Sequence, residues 1–164
     1  MRILQSILGE EIIKELQSIS QRVTYTNDNT DVFNRDICTI TSEDGYENIF
    51  DRLDNYREEV ELLKEFYIIR YTKGHYIARH NDIWDTKRSY NRTNSLVVQL
   101  TDSSLYKGGK TVVYGNDGEG LSVPQAIDSG MLFSSYLDHE VEMLEDGVRY
   151  SLVACYEKRT TSLF

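Results

Sequence analysis

The residues with the clearest capacity for chemistry are a histidine and an aspartate two positions apart, His80 and Asp82. Side chains of a β-strand alternate between its two faces, so these two residues of one strand would share a face while Asn81 points away. Both side chains are metal ligands, and the chain has only 3 histidines. A His-x-Asp triplet is a weak signal by itself, because polar loops contain it by chance. Its meaning therefore depends on the rest of the chain.

Two residues further along the chain complete a set with this triplet. His139 lies between Ser134 and Met143, and Arg149 follows ten residues after it. Two imidazoles and one carboxylate form a facial triad, which suits Fe(II) and leaves positions open for a chelating co-substrate and dioxygen. The far carboxylate of a dicarboxylate such as 2-oxoglutarate needs a planar, permanently charged fork, which arginine offers. Ser151 would share a strand face with Arg149 and could donate its hydroxyl to the same carboxylate.

The composition indicates one acidic domain. The chain has 164 residues, 40% of them hydrophobic, which is enough for a single buried core. A formal net charge of −9 disfavours non-specific binding to nucleic acid or anionic lipid. The 2 cysteines, Cys38 and Cys155, are too few and too distant in sequence for a disulfide framework, so we expect a reducing, cytoplasmic setting. No run of about 20 apolar residues indicates a membrane span, and acidic residues within 1–21 argue against a signal peptide.

Helices are expected only in the N-terminal part. Apolar residues at three- and four-residue steps predict an amphipathic helix within residues 1–21, or only from Gly9 onward. Residues 36–41 alternate weakly, as a short or edge strand does. Thr41 and Asp44 are spaced as a capping box, and the apolar residues after them predict a helix from about Tyr46 to Glu65 that packs on its own domain.

From residue 66 onward the pattern changes to short β-branched and aromatic runs separated by glycines. Eight of the 10 glycines lie at or after Gly74, where tight turns between antiparallel strands need positive φ. The predicted strands cover residues 67–71, 94–100, 110–114, 130–134 and 149–156. This pattern favours a β-sandwich or jelly roll behind a helical N-terminal part. We expect a single domain over 1–164, with 1–65 as helical support and 66–158 as the β core.

On these residues the sequence resembles the Fe(II)/2-oxoglutarate-dependent dioxygenases, specifically the prolyl 4-hydroxylase-like branch that includes small bacterial PKHD-type hydroxylases. The resemblance covers about residues 66–156 and rests on three motifs. They are Tyr71-x-x-Gly74-x-Tyr76 ahead of His80-x-Asp82, Ser95-Leu-Val-Val-Gln-Leu-Thr followed by Tyr106-Lys-Gly-Gly109, and His139 with Gly147-x-Arg149-Tyr-Ser151-Leu. The chain departs from the family at Lys110, where Glu is frequent, and at Ser134, where Pro is frequent. These departures leave the substrate open.

The resemblance implies a mainly β fold, a double-stranded β-helix or jelly roll braced by N-terminal helices. It implies that His80, Asp82 and His139 bind iron, that Arg149 and Ser151 bind the C5 carboxylate of 2-oxoglutarate, and that Tyr71 contacts the same acid. The implied cofactors and co-substrates are Fe(II), 2-oxoglutarate and dioxygen, with ascorbate as an accessory reductant. The implied reaction is hydroxylation of a C–H bond, and the favoured target is a prolyl residue of a peptide or protein.

Several neighbouring residues have a functional and an ordinary interpretation. The segment 83–93 carries Trp84 and Arg88 and is a candidate lid, so these two residues and Tyr76 are the expected substrate contacts. Tyr71 and Tyr76 are equally consistent with half-buried strand aromatics. His75 has no partner at ligand spacing and is expected to take no part in a metal site.

Two other functions stay open at this stage. The same iron chemistry could act on a free small molecule or a nucleobase, although the net charge and Cys155, where nucleic-acid demethylases carry a further Arg, disfavour nucleic acid. A jelly roll could also bind a metal or a sugar without catalysis.

Overall fold

The computed structural model of the protein describes residues 1–83 and 91–160. Two α-helices occur within these ranges, α1 (Glu10–Arg22) and α2 (Glu47–Asp54). The strands of the described residues are, in chain order, β1 (Arg2–Leu4), β2 (Thr26–Asn29), β3 (Phe33–Thr41), β4 (Glu61–Leu62), β5 (Glu65–Tyr71), β6 (Tyr76–His80), β7 (Arg92–Gln99), β8 (Tyr106–Gly108), β9 (Thr111–Tyr114), β10 (Gly120–Ser122), β11 (Gly130–Ser134), β12 (His139–Val141), β13 (Leu144–Gly147) and β14 (Arg149–Lys158).

The main sheet is antiparallel and runs in the order β1-β11-β7-β14-β5-β3-β6-β12-β9-β10. Strand β2 pairs with β3 and β4 pairs with β14, while β8 and β13 form a separate pair. Side chains of β14 and of β12 line one cavity, so the sheet curls until its two halves face each other. This is the predicted mainly β jelly roll, and its fold class is confirmed.

Alternation along β14 shows how one strand serves two environments. Leu152, Ala154 and Tyr156 face the helices, and each is 0% exposed within the larger apolar core. Ser151 and Val153, which point the opposite way, line the cavity between the two halves of the sheet. The strand therefore separates a packed core from a hollow interior.

The helices cover the outer face of the sheet. Their apolar stripes supply Ile13, Leu16 and Ile19 from α1 and Ile49 and Leu53 from α2, all buried against β5, β7 and β14. The chain enters α1 through Leu8 and Gly9, whose backbone N–H groups donate to the two carboxylate oxygens of Asp128 at 2.8 and 2.9 Å. A distant loop thereby fixes the start of α1. None of the helices in the described residues is long and apolar enough to cross a bilayer.

The helix predicted over 46–65 is much shorter than expected. The capping box of Thr41 and Asp44 is present, but it begins a 3₁₀ turn over Ser42–Asp44, and α2 ends at Asp54. Glu61 explains the early end, because its buried carboxylate accepts from the backbone N–H of Glu58 and from the side-chain amide of Asn94. A carboxylate satisfied in this way requires a turn followed by strand pairing rather than another helical turn.

The segment 1–65 is only partly helical. It also supplies β1 to β4, and β3 lies between β5 and β6 in the main sheet. Its role is therefore broader than the helical support expected from its sequence. The weakly alternating residues 36–41 form the C-terminal part of β3 and pair with β5. Strand β3 begins earlier than predicted, at Phe33.

Candidate metal centre and acid-binding pocket

Three side chains meet at one end of the cavity. His80 closes β6, Asp82 lies in the turn that follows, and His139 opens β12, where it is the register partner of His80. The Nε2 atoms of His80 and His139 lie 3.6 and 3.4 Å from Oδ1 of Asp82, and one ligand atom from each residue falls within 4.8 Å of the others. The expectation that His80 and Asp82 lie on one strand is wrong, because β6 ends at His80 and the Asp82 backbone N–H donates to the carbonyl of Ser135 at 3.0 Å.

Backbone carbonyls orient both imidazoles. Nδ1 of His80 lies 2.9 Å from the carbonyl of Ala78, and Nδ1 of His139 lies 3.1 Å from that of Leu137. A carbonyl only accepts hydrogen bonds, so Nδ1 carries a proton in both rings and Nε2 is the atom turned toward Asp82. Hydrogen bonds of this kind fix the ring orientation and tautomer that a metal ligand needs.

Asp82 is held as a buried carboxylate. It is 8% exposed, and its Oδ2 accepts from the hydroxyl of Ser95 at 2.5 Å. Burial alone would raise the pKa of Asp82, but His139, His80 and Ser95 together hold that pKa well below its usual range. Burial lowers the pKa of His139, but the Asp82 carboxylate, the Leu137 carbonyl and Asp138 together raise it, and the net pKa is raised. A divalent cation is suited to this cluster, since one anionic oxygen and two imidazole nitrogens are the ligands of a facial triad.

Arg149 lies beneath another part of the cavity. It is 1% exposed, and its Nε and Nη2 donate to Oε1 of Gln99 at 3.2 and 3.0 Å. Nη2 also donates to the hydroxyl of Thr111 at 2.9 Å, and Cζ lies 4.9 Å from the centre of the Tyr71 ring. Thr111 and Tyr71 line the cavity, so they connect the guanidinium with its interior.

The donors around Arg149 fit a carboxylate. Nη1 of Arg149, Nε2 of Gln99 and the hydroxyl of Tyr106 are all buried and have no well-aligned hydrogen-bond partner within the described ranges. Burial raises the pKa of Tyr106 despite the nearby guanidinium, so the phenol remains a donor. Leaving one such donor unpaired costs about 1–3 kcal/mol. A dicarboxylate bound between this group and the triad would satisfy donors that the protein leaves open.

The paired glycines of the second motif leave room for this arrangement. Gly108 and Gly109 have φ of +77° and +64°. A Cβ on Gly108 would lie 2.5 Å from the carbonyl of Met143, and one on Gly109 would meet Leu144 at 2.8 Å and the Arg149 side chain at 3.6 Å. The predicted turn is present, and larger residues would displace the backbone around Leu144 in β13, the strand that precedes Arg149.

The cavity between the two ends has a volume of about 650 Å³, which exceeds the needs of a five-carbon diacid. Its walls combine polar and charged residues with an apolar part formed by Ile69, Ile77, Val97, Val141 and Val153. Apolar walls limit the access of water to a cation at the triad.

The remaining predicted residues divide into three groups. Tyr71 and Ser151 line the cavity at 2% and 1% exposure, whereas Tyr76 is half-buried beside Asn34 and is not among the lining residues. His75 lies outside the cluster and its Nδ1 accepts from the Thr72 backbone at 3.1 Å, as a turn residue. Trp84 and Arg88, with most of the candidate lid, lie outside the described residues.

Sequence reasoning did not single out Gln99, Thr111 or Ser95. Gln99 carried a signal, because a polar side chain within the apolar run from Leu96 to Leu100 must be satisfied when the strand is buried. Ser95 begins the second motif of the resemblance, but nothing in the sequence marked it or Thr111 as a site residue, because both residue types are common in strands.

The fold is shared with solved oxygenases. An oxidoreductase of the 2OG-Fe(II) oxygenase family from Burkholderia pseudomallei is 16% identical with a TM-score of 0.77, over 96% of this chain and 85% of that one. A prolyl 4-hydroxylase from Pseudomonas putida is 19% identical with a TM-score of 0.73, over 96% and 92%. A prolyl hydroxylase from Trichoplax adhaerens, solved with a peptide of the hypoxia inducible factor oxygen degradation domain, is 18% identical with a TM-score of 0.74, over 96% and 83%.

These likenesses confirm the fold expected from the sequence resemblance. No curated protein matches the chain in sequence. A family profile described as Poxvirus C4/C10 protein, in contrast, matches residues 5–159, almost the whole chain. The chain therefore belongs to the poxvirus C4/C10 protein family.

Proposed function

We propose that this protein is an Fe(II)- and 2-oxoglutarate-dependent oxygenase that hydroxylates a C–H bond. One observation carries the proposal. A His-Asp-His cluster lines the cavity that Thr111 and Tyr71 also line, and both of these residues contact a buried arginine with an unpaired N–H, Arg149. The solved oxygenases of the same fold support the assignment at the level of reaction class.

The side chains have separate tasks in this proposal. His80, Asp82 and His139 would hold the cation, with Ser95 and two backbone carbonyls keeping the ligands in place. Arg149, assisted by Thr111, Ser151 and Tyr71 around it, would bind the far carboxylate of 2-oxoglutarate. Bound iron would supply the oxidation, in which dioxygen converts 2-oxoglutarate to succinate and CO₂ while the substrate gains a hydroxyl group. The apolar walls would keep bulk water away from the reacting atoms.

A prolyl residue of a peptide or protein is the proposed target. Its support is the set of prolyl hydroxylases among the solved structures of this fold, one of which holds a peptide. The net charge of −9 weighs against a nucleic-acid substrate. Free thiols at Cys38 and Cys155 are consistent with a reducing compartment, and we place the reaction in the cytoplasm on that basis.

The test is reconstitution. Anaerobic addition of Fe(II) and 2-oxoglutarate should produce a weak visible charge-transfer band, and admission of air should convert 2-oxoglutarate to succinate. Ascorbate is added in one arm, because its use as a reductant is also part of the proposal. A panel of proline-containing peptides, analysed by mass spectrometry for an added oxygen, then tests the substrate class.

The outcomes separate the proposed functions. A band without succinate would contradict catalysis and favour a module that binds metal and acid. If both the band and succinate are absent, that result would contradict the whole assignment. Oxidation of a free small molecule with no peptide product would keep the reaction and replace the substrate.

A further inference from the structure

Two arginines adjoin the His80–Asp82 segment in the cavity, apart from Arg149. The Arg35 guanidinium stacks on Phe33 with Cζ 4.2 Å from the ring centre, and that ring meets the edge of the His80 ring at 4.9 Å. Arg92 donates from Nη1 to the backbone carbonyl of Asp82 at 3.4 Å. Both arginines line the cavity. Two positive charges therefore lie beside the candidate metal centre.

Neither guanidinium is saturated by the protein. The Nε atoms of Arg35 and Arg92 are buried, and in the described part of the chain neither makes an aligned hydrogen bond, although Arg35 forms a long ion pair with Asp28. The carboxylate nearest to Arg35 belongs to Asp28, whose Oδ2 is 3.5 Å from both Nε and Nη2. For Arg92, Nη2 donates to the hydroxyl of Tyr67 at 3.0 Å, and that hydroxyl donates in turn to Glu65.

An arginine–aspartate ion pair elsewhere in the sheet shows how a fully paired arginine differs from Arg35 and Arg92. Arg70, on the opposite face of β5 from the cavity, donates from Nε and Nη2 to one oxygen of Asp36 at 3.0 and 2.9 Å. These are close, charge-assisted bonds of the kind that stabilise an arginine fully. Arg35 and Arg92 have only longer or indirect contacts with carboxylates, so donors remain free for a ligand.

The far carboxylate of the co-substrate does not account for the donors of Arg92. In the strand pairing of β7 with β14, the register partner of Arg92 is Glu157, which lies eight positions after Arg149. Eight residues of extended strand span roughly 26 Å, which is far longer than a five-carbon diacid. Both extra arginines also act on one point, the buried Cys155 thiol, where each opposes the rise in pKa to about 12 that burial causes. Arg92 therefore belongs to the region around the triad, and Arg35, which is level with Tyr71 across β3 and β5, approaches the triad through Phe33.

We infer that Arg35 and Arg92 bind an oxyanion of the substrate, namely the side-chain carboxylate of an acidic residue next to the hydroxylated position. This inference rests on the proposed function and specifies its substrate class. The whole chain carries a net charge of −9, so long-range attraction cannot favour an acidic peptide. Selection for a carboxylate must come from these two side chains at short range.

The experiment measures equilibrium binding of matched peptides to the metal- and 2-oxoglutarate-loaded protein without oxygen. Four proline-containing peptides differ only at the residue beside proline, which is Glu, Gln, Lys or phosphoserine. Wild-type protein should bind the Glu peptide about 10-fold or more tightly than the Gln peptide, and Arg35→Gln or Arg92→Gln should remove that preference. Arg70→Gln, whose arginine faces away from the cavity, is the matched control and should keep it.

Each other outcome has a defined meaning. A preference for phosphoserine over Glu that both variants abolish would support the oxyanion site and identify phosphate as the ligand. Equal binding of the Glu and Gln peptides by wild type, a preference that survives in both variants, or no peptide binding at all would overturn the inference. Because the charge-transfer band is recorded in the same samples, a failed oxygenase assignment is distinguishable from a failed substrate assignment.

Discussion

His80 and His139 are register partners on the antiparallel strands β6 and β12, and their ring centres lie 4.4 Å apart. Strand pairing thus brings together two ligands from distant parts of the chain, while Asp82 joins them from the turn that follows β6. A site built on backbone pairing is rigid before any ligand binds.

Replacing one of these ligands should abolish metal binding selectively. His139→Ala leaves one imidazole and one carboxylate, so affinity for Fe(II) or for Co(II) as a probe should fall by more than about 100-fold. His75→Ala is the matched control, because His75 lies outside the cluster and should leave affinity unchanged. Titration calorimetry measures both, and a similar loss in the two variants would contradict the assigned ligand set.

The hydrogen bond from Ser95 to Asp82 should matter for the metal as well. Ser95→Ala frees Oδ2 of the carboxylate, so the ligand loses its fixed orientation and metal affinity should fall by about 10- to 100-fold. Ser135→Ala is a matched buried control, since the Ser135 hydroxyl lies 2.8 Å from that of Ser95 and only its backbone contacts Asp82. Wild-type affinity in Ser95→Ala would show that strand pairing alone positions Asp82.

A substitution of Arg149 should weaken the binding of 2-oxoglutarate and leave the binding of the metal unchanged. Arg149→Lys keeps the charge but loses the planar fork and the bonds to Gln99 and Thr111. We expect 2-oxoglutarate affinity to fall by about 10-fold or more while metal affinity stays the same, as measured by titrating each ligand separately. Arg70→Lys is the control on the opposite face of the sheet, and an equal effect there would point to a general loss of stability.

The Asp36–Arg70 pair should make stability depend on pH. Burial raises the pKa of Asp36, but hydrogen bonds from Asn27 and Arg70 outweigh it, and the net pKa is lowered. A lowered pKa in the folded state means stability that is present above the unfolded value of about 3.9 and lost as pH falls through the folded value. Asp36→Asn should therefore reduce the free energy of unfolding by about 1 kcal/mol at pH 7, because Arg70 is partly exposed and water screens the pair.

That difference between wild type and Asp36→Asn should shrink toward zero below pH 4. Urea unfolding followed at several pH values measures it. The exposed Asp31, in the turn between β2 and β3, offers Asp31→Asn as a control of equal charge change. A difference that stays constant down to low pH would show that the carboxylate of Asp36 contributes through packing rather than through its charge.

Local pattern determined much of this protein from sequence alone. Alternation and glycine placement predicted β5, β7, β9, β11 and β14 to within about two residues, because side-chain period and turn conformation are properties of short segments. Residue type and spacing identified His80, Asp82, His139 and Arg149, since few side chains can bind a metal or grip a carboxylate. The helix predicted over 46–65 was wrong in its length, because tertiary contacts overrode the local pattern. Helical spacing continues past Asp54 in the sequence, but the hydrogen bonds of Glu61 require a turn there.

Tertiary structure decided which of these residues meet and what surrounds them. Ser95, Gln99 and Thr111 became part of the site only because neighbouring strands place them against Asp82 or Arg149. The same is true of Arg35 and Arg92, which lie outside the strands predicted over 36–41 and 94–100 and come to line one cavity only when the sheet curls. A hydrogen-bond partner or an unpaired buried donor depends on distances between strands, and those distances exist only once the chain has folded.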